Sequence, residues 1–452
     1  MLILFVYALF FIGHRRNDML RILILFLCTV PLFSSTLDGL IAYAMENSTV
    51  VKQGKVQMEL AQTQRKESES VQFGSIDLVA NYTHFNLPRT LAPLTPASIL
   101  KDPTAVPTTT NLFGTGVMYT VPLFTGFAQT RQVEMDSIAT QLSQSKLSLT
   151  KEQLSYNVAS LYLSVLALQE MSTAQQKHVS ALKKLRDIIE KEVRFGKKAQ
   201  IDLLKSENDL YGNISYRKVL KGNIAMTKAS LASLVGKDHI GEISTVKVSV
   251  KKPNYSIDRL LNEASSLDKV HISELNIKKA NKGIEKSSAS RYPQVSLSSY
   301  YGYNYGENDG SNKYPGEFNS QENWQIGVNA KWTLFDFGKN DASTQKAKIA
   351  HMQATLNKQQ TLLDLRKTLV EALEKMKQEY AKYQGNLKQL ALVKKSEKIE
   401  NVRYINGVST INDLLYAKSQ TNLASAKLIE SRYNYQKGKF YMDYLLERGV
   451  KK

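Results

Sequence analysis

The sequence predicts a mainly α-helical fold with a membrane β-barrel part, built from a helix, strand, strand, long helix, helix unit that the chain writes twice. Three patterns predict it: an internal repeat at nearly constant spacing, four segments of alternating apolar and polar residues, and two proline-free stretches with heptad spacing.

The repeat comes first, because missing it would misread the whole fold. Residues 36–41 (TLDGLI) align with 256–261 (SIDRLL) at an offset of 220, residues 76–82 (IDLVANY) with 295–301 (VSLSSYY) at 219, and Leu123-Phe124 with Leu334-Phe335 at 211. Residues 193–195 (VRF) align with 402–404 (VRY), and 202–204 (DLL) with 413–415 (DLL), in unchanged order. The halves are read as residues 36–245 and 256–452.

Ahead of the first half lie two apolar runs, residues 1–12 and 22–33, around a polar stretch containing Arg15, Arg16 and Asp18. Each is short of the roughly 20 residues a helix needs to cross about 30 Å of hydrocarbon. Met19, Leu20 and Arg21, then the apolar run, then Ser34 and Ser35 follow the order of a secretory signal. Residues 1–35 are therefore read as a signal peptide, with Met19 as a candidate true start and an uncleaved anchor as the alternative. Leu27 precedes Cys28, the only cysteine, where lipidation wants a small residue, so no lipid anchor is expected. Removing this segment leaves no thiol for a disulfide and takes the net charge from +19 to +17.

In each half, two segments alternate with the period of a strand. Residues 324–334 place Trp324, Ile326, Val328, Ala330, Trp332 and Leu334 on one face and Gln325, Gly327, Asn329, Lys331 and Thr333 on the other. Its repeat mate sets Thr115, Val117, Tyr119, Val121 and Leu123 against Gly114, Gly116, Met118 and Thr120. The first strands carry Ile76, Leu78, Ala80 and Tyr82, and Val295, Leu297, Ser299, Tyr301 and Tyr303. An apolar sheet face could pack on the helices of a soluble α+β domain. Trp324 and Trp332, about 26 Å apart along an extended strand, instead suit the two aromatic girdles of a lipid-facing band. Four strands cannot close a barrel and an open edge in lipid leaves backbone groups unpaired, so further strands must come from other copies; two copies give eight strands and three give twelve. The connecting residues 86–112 and 306–323, rich in Pro and Thr or in Gly, Asn and Glu, are expected as loops on the far side.

Long helices follow, over about residues 128–190 and 341–403. Leu154, Val158, Leu161, Val165 and Leu168 step by 4 and 3, as do Leu362, Leu365, Leu369, Ala372 and Met376. Such seams belong to helices packed side by side along their length. A plain coiled-coil rod would explain the seams without explaining the inserted strands.

Enzyme chemistry finds no foothold. The six histidines, His14, His84, His178, His239, His271 and His351, form no ligand spacing, and no phosphate loop, nucleophile elbow or dinucleotide fingerprint occurs. No catalytic residue, cofactor or metal is expected. A surplus of 60 Lys and Arg over 41 Asp and Glu admits a rival, a basic helical scaffolding or nucleic-acid-binding protein. Interleaved charges on the helices, the export signal and the alternating strands weigh against it, and no nucleic acid is expected as a partner.

Residues 122–126 (PLFTG) and 333–338 (TLFDFG) resemble the strand-to-helix junctions of the TolC-like outer-membrane efflux proteins, and residues 402–415 (VRYINGVSTINDLL), 417–426 and 432–435 resemble that family's most recognisable segment. The resemblance covers residues 36–448. It implies an outer-membrane homotrimer whose twelve strands form one barrel, set in outer-membrane lipid and continuous with a periplasmic α-helical tunnel. The partners it implies are a periplasmic adaptor and an inner-membrane pump, which alone supplies energy and substrate. The turns at 195–200 and 404–410 would lie at the tunnel mouth, with Gly407, Val408, Ser409 and Thr410, and Gly196, Lys197, Lys198 and Ala199, docking the adaptor. The glycines are equally explained as helix C-caps, and Lys197 and Lys198 as solvated lysines. Asp413 matches a constriction-ring aspartate, Asp202 and Tyr404 members of a latch; both aspartates also suit the first turn of a helix. Ser409 and Tyr416 replace an arginine and a second aspartate of the family pattern, which leaves a charged latch unsupported.

Overall fold

The computed structural model describes residues 36–102, 105–264, 266–309 and 316–449; the signal-peptide reading of residues 1–35 and the candidate start at Met19 fall outside them. The first half runs α1 (Leu37–Asn47), α2 (Thr49–Ser70), a 3-10 turn (Val71–Phe73), β1 (Ser75–Thr90), α3 (Pro96–Lys101), β2 (Thr108–Phe124), α4 (Ala128–Arg194) and α5 (Gln200–Val235). The second runs α6 (Ile257–Ala264), α7 (Asp268–Ser288), a 3-10 turn (Ala289–Arg291), β3 (Gln294–Glu307), β4 (Phe318–Lys331), α8 (Lys339–Ile405) and α9 (Ile411–Leu445). The duplicated order of the sequence is the order of the fold. Among the described residues no helix is long and apolar enough to cross a membrane.

The strands form one antiparallel sheet in the order β1-β2-β3-β4. Ser75 lies opposite Thr120, Leu78 opposite Val117 and Tyr82 opposite Phe113. Adding the offsets 219 and 211 turns these pairs into Gln294 with Lys331, Leu297 with Val328 and Tyr301 with Trp324, the pairs that β3 and β4 make. The two hairpins therefore share one register. Opposed residues share a face, so Leu78, Val117, Tyr301 and Trp324 form one row across the sheet, and Ile76, Tyr119, Ser299 and Ile326 the next. The opposite face carries rows such as Asp77, Met118, Tyr300 and Gln325, and Asn81, Gly114, Asn304 and Gln321. Among the described residues no helix covers the apolar face: Leu78 is 82% exposed and Trp324 66%.

The strands are longer than the alternation suggests and the loops correspondingly shorter. β1 runs on to Thr90 across a register shift between His84 and Arg89. Pro88 lacks an N–H, which an edge strand tolerates. β2 already begins at Thr108, β4 at Phe318, and α3 occupies part of the first connection. β4 stops at Lys331, so Trp332 and Leu334, expected within it, lie beyond its end. The cause is pairing. The last residues of β2 are held by β3, Pro122 opposite Ser296 and Phe124 opposite Val295, whereas β4 is an edge with no strand on that side.

Each strand-to-helix junction makes the same backbone turn. Gly126 and Phe127 have φ of 63° and 69°, Phe337 and Gly338 56° and 85°, so two successive left-handed residues recur with glycine and phenylalanine exchanged. The residue before each pair caps the helix: Thr125 Oγ1 accepts from Gln129 N at 3.2 Å and Asp336 from Asn340 N at 2.9 Å. The helices α4 and α8 are each 67 residues, about 100 Å at 1.5 Å per residue.

Near the sheet α4 packs on α2 and α7, farther down on α5 and α9, while α8 packs on α7 and then α9. The predicted seams are where the cores lie. Leu154, Val158 and Val165 of α4 meet Leu40 and Ala44 of α1, Leu231 and Val235 of α5, and Ile429 and Tyr433 of α9, with Leu161 partly buried against them and Leu168 half-buried outside this cluster. Leu365, Leu369, Ala372 and Met376 of α8 meet Leu260, Val270, Tyr435 and Met442, while Leu362 stays exposed. Burying each such leucine contributes about 1.5–3 kcal/mol. Polar ties also join the halves: Ser145 Oγ donates to Asp268 Oδ1 at 3.0 Å, and Asn422 Nδ2 donates to Gln175 Oε1 at 2.8 Å.

The junctions make a ranked prediction. A Cβ at Gly126 would lie 2.3 Å from Ala289 O, whereas one at Gly338 meets nothing within 4 Å. Gly338→Ala is expected to cost only the left-handed backbone penalty, about 1–2 kcal/mol, and Gly126→Ala visibly more. Thermal unfolding of the purified variants in detergent checks the order.

Candidate functional site at the helix tips

At the end away from the sheet, both helix pairs reverse through one motif. Gly196 N donates to Val193 O at 2.9 Å and Lys197 N to Glu192 O at 2.7 Å; Gly407 N donates to Tyr404 O at 3.1 Å and Val408 N to Arg403 O at 2.9 Å. These are paired Schellman closures with the glycine left-handed, at φ of 70° and 74°. Their backbone equivalence sets Gly196 on Gly407 and Val193 on Tyr404. The alignment of Phe195 with Tyr404 is therefore two residues out of phase, because two similar tripeptides matched better than the turn itself. Ala199 and Thr410 occupy the N-cap positions of α5 and α9.

Thr410 and Asp413 form a reciprocal capping box. Thr410 N and Oγ1 donate to Asp413 Oδ2 at 3.0 and 2.7 Å, and Asp413 N donates back to Thr410 Oγ1 at 3.3 Å. The hydroxyl, followed by the backbone N–H, holds the Asp413 carboxyl below its ordinary value of 3.8. It remains a solvent-exposed carboxylate. Asp202, half-buried, takes the matching place in the first turn of α5, its N–H donating to Ala199 O at 3.0 Å.

Tyr404 behaves unlike the other tip residues. Its ring is 5% exposed among Leu185, Ile189, Ile411 and Leu414, and its hydroxyl has no hydrogen-bond partner among the described residues. Burial, with the fields of Glu192 and Asp202 behind it, pushes the phenol up to about 12. The Lys198 ammonium sits 4.4 Å from the centre of that ring. A cation over an aromatic face is attracted by the ring quadrupole, so the first turn is fastened to the second through Lys198 and Tyr404. Lys197 stays exposed, and Ser409, in the place of the family arginine, has a buried hydroxyl without a partner. Around these groups Phe195, Ile201, Leu204, Ile405 and Val408 are exposed, an apolar patch on an otherwise polar tip.

The structure brings Asp202, Tyr404 and Lys198 to one helix-tip cluster and keeps Asp413 beside Thr410 in the neighbouring cap. It places Trp324 and Trp332 far from them, on the sheet and at its base. Trp324 stands opposite Tyr301, and Trp332 Nε1 donates to Arg291 O at 3.1 Å. Sequence reasoning missed the Lys198 contact and the capping box; the spacing of Thr410 and Asp413 is a readable box signature, whereas no local signal pairs Lys198 with a ring over 200 residues away.

Two substitutions separate these roles. Tyr404→Phe removes a buried hydroxyl with no partner, so stability is expected to hold or rise, while Tyr404→Ala loses about 3–5 kcal/mol. Thr410→Val is expected to cost about 1 kcal/mol of helix capping at neutral pH. Because the folded-state value of Asp413 is depressed, its stabilisation is present above the unfolded value and is lost as pH falls through the folded one. The stability gap between wild type and Thr410→Val should therefore narrow below pH 3.8, read by denaturant titration at several pH values.

Comparison with known proteins agrees with this architecture. The pattern of the family described as "Outer membrane efflux protein" matches residues 40–237 and 257–439. The outer membrane protein TolC of Vibrio cholerae is 19% identical over 334 residues, 73% of this chain and 75% of that protein. In fold, the CmeC outer membrane channel of Campylobacter jejuni is similar with a TM-score of 0.75 at 17% identity, over 91% of this chain and 86% of that one. The open state of the MtrE outer membrane channel of Neisseria gonorrhoeae gives 0.71 at 18% identity, over 92% and 89%. Matched over both halves of its repeat, the chain belongs to the outer membrane efflux protein family.

Proposed function

We propose that this outer-membrane efflux protein is the passive exit duct of a tripartite efflux or type I secretion system. The observation that carries the reading is the sheet: one face apolar and exposed, the other polar, both edges open, and two 67-residue helices leading away from it. Lipid against the first face and water against the second satisfy both. Three copies supply twelve strands for a closed barrel, and the helices extend its lumen through the periplasm.

At the far end the Schellman turns, with Gly407, Val408, Ser409 and Thr410 and with Gly196, Lys197, Lys198 and Ala199, form the docking surface for a periplasmic adaptor. The exposed Val408 and Phe195 give that surface apolar anchors. Asp413 from each copy lines the mouth as a ring of carboxylates, kept ionised by Thr410 and favouring cations in a narrow passage. Tyr404 and Asp202 belong to the packing that holds the mouth, and Trp324 and Trp332 to the aromatic girdles. The duct performs no hydrolysis and needs no cofactor; an inner-membrane pump supplies the energy. A scaffolding or nucleic-acid-binding role leaves the exposed apolar sheet face without a purpose.

Purified protein added to planar bilayers is expected to open discrete cation-preferring conductances, and Asp413→Ala to lower the cation preference. Unchanged selectivity would remove Asp413 from the ring. Recovery in the soluble fraction, with salt-dependent retention on DNA and no conductance, would sink the duct.

A further inference from the structure

The chain contains an internal template for the way its copies meet. Its two hairpins share one register, and within the chain they are joined by β2 and β3, with Thr115 opposite Tyr303, Val117 opposite Tyr301 and Thr120 opposite Ser298. β4 is the repeat mate of β2 and β1 of β3, and these are the two strands left at the edges. Moving the β2–β3 pairs by the same offsets of 211 and 219 sets Ile326 against residue 84, Val328 against residue 82 and Lys331 against residue 79. Every such pair falls on a common face: Ile326, Val328, Tyr82 and His84 on the apolar side, Lys331 and Val79 on the polar side. A slip of one residue would turn one strand inside out.

A second contact has the same template. Inside the chain, the segment after the Ala289–Arg291 turn seats on the first junction: the Tyr292 ring meets Phe127 edge-on at 6.3 Å, and its Cβ lies 2.9 Å from where a Gly126 Cβ would stand. The repeat mates are the Val71–Phe73 turn and the Phe337-Gly338 junction. Neither is covered: Phe73 is 75% exposed and Phe337 91%. Phe337 has a Cβ where Gly126 has none, so a turn seated there would stand farther out than the internal copy.

We propose that each copy joins the next through β4 and β1 in the register that β2 and β3 already use. Val328 lies opposite the partner's Tyr82, Lys331 opposite the partner's Val79, and Phe337 is covered by the partner's Phe73. This assignment rests on the duct reading for the fact of assembly, and adds to it which residues meet. It also accounts for the early end of β4, whose residues 332–335 gain a neighbouring strand only from the partner.

Cysteine pairs test it, in a background where Cys28, the only cysteine, is changed to serine. Opposed Cα atoms in an antiparallel pair are about 4.5–5.5 Å apart, within disulfide range, whereas a slip of two residues moves them out of it. Within one chain β2 and β3 alone separate Tyr82 from Val328 by about 14 Å across the sheet, and Val328 lies eight residues along β4 from Ser320, which shares the row of Tyr82, so a bond between them must join two copies. On mild oxidation Tyr82→Cys with Val328→Cys is expected to yield covalent multimers several-fold more than Ala80→Cys or His84→Cys with Val328→Cys. Equal or greater yield from a slipped pair, or no linkage in a protein that light scattering finds assembled, overturns the register. A monomer by light scattering in the Cys28→Ser parent overturns the duct reading beneath it. Where a cysteine at 82 blocks assembly, Phe73→Cys with Phe337→Cys reads the second contact: linkage supports the proposal, and its absence from an assembled protein overturns it.

Discussion

Backbone hydrogen bonding at the edges of one small sheet governs the rest of this molecule. β1 and β4 each present a row of amide and carbonyl groups with no strand partner among the described residues, beside a face that carries Leu78, Val117, Tyr301, Trp324 and Ile326 into the surroundings. In water such a face is a liability, and in hydrocarbon such an edge is worse, since each unpaired group costs several kcal/mol. Both are resolved at once when the sheet closes with other copies of itself and the apolar face meets lipid. In the proposed assembly the single chain is incomplete by itself.

The helices inherit their placement from the sheet. Each outgoing strand, β2 or β4, leads into a 67-residue helix through the same pair of left-handed residues and the same side-chain cap, so α4 and α8 leave the sheet with the same local geometry. Their seams then pack against the shorter helices over nearly their whole length. At the tips two Schellman turns of one design send the chain back. The construction is economical because one solution to each local problem is used twice, and the differences between the two uses are where the chain departs from symmetry. Phe127 and Gly338 occupy equivalent sites, as do Val193 and Tyr404, and in each case the aromatic member makes a ring contact, with Tyr292 or with Lys198, that its smaller mate cannot make.

Much of this was legible in the sequence, for a physical reason. Long amphipathic elements repeat their signal many times, so the heptads of Leu154 to Val165 and of Leu365 to Met376 found the cores, and a period of two found all four strands. What escaped depends on partners distant in sequence. The extension of β1 through Pro88 to Thr90 is set by pairing with Thr108 and Thr109, and the end of β4 before Trp332 by the absence of a neighbour strand. At the tips, the glycine turns were readable from helix-terminating chemistry. The Lys198 contact with Tyr404 was not, because it joins two turns over 200 residues apart.

The central claim is that the sheet's aromatic face lies in lipid, and the chain's only two tryptophans, Trp324 and Trp332, report on it directly. Fluorescence of the reconstituted protein should be quenched by lipids brominated along their acyl chains, with Trp332→Phe and Trp324→Phe leaving single reporters that favour different bromine depths. Quenching of both by aqueous iodide, with no effect of brominated lipid at any depth, would contradict the account.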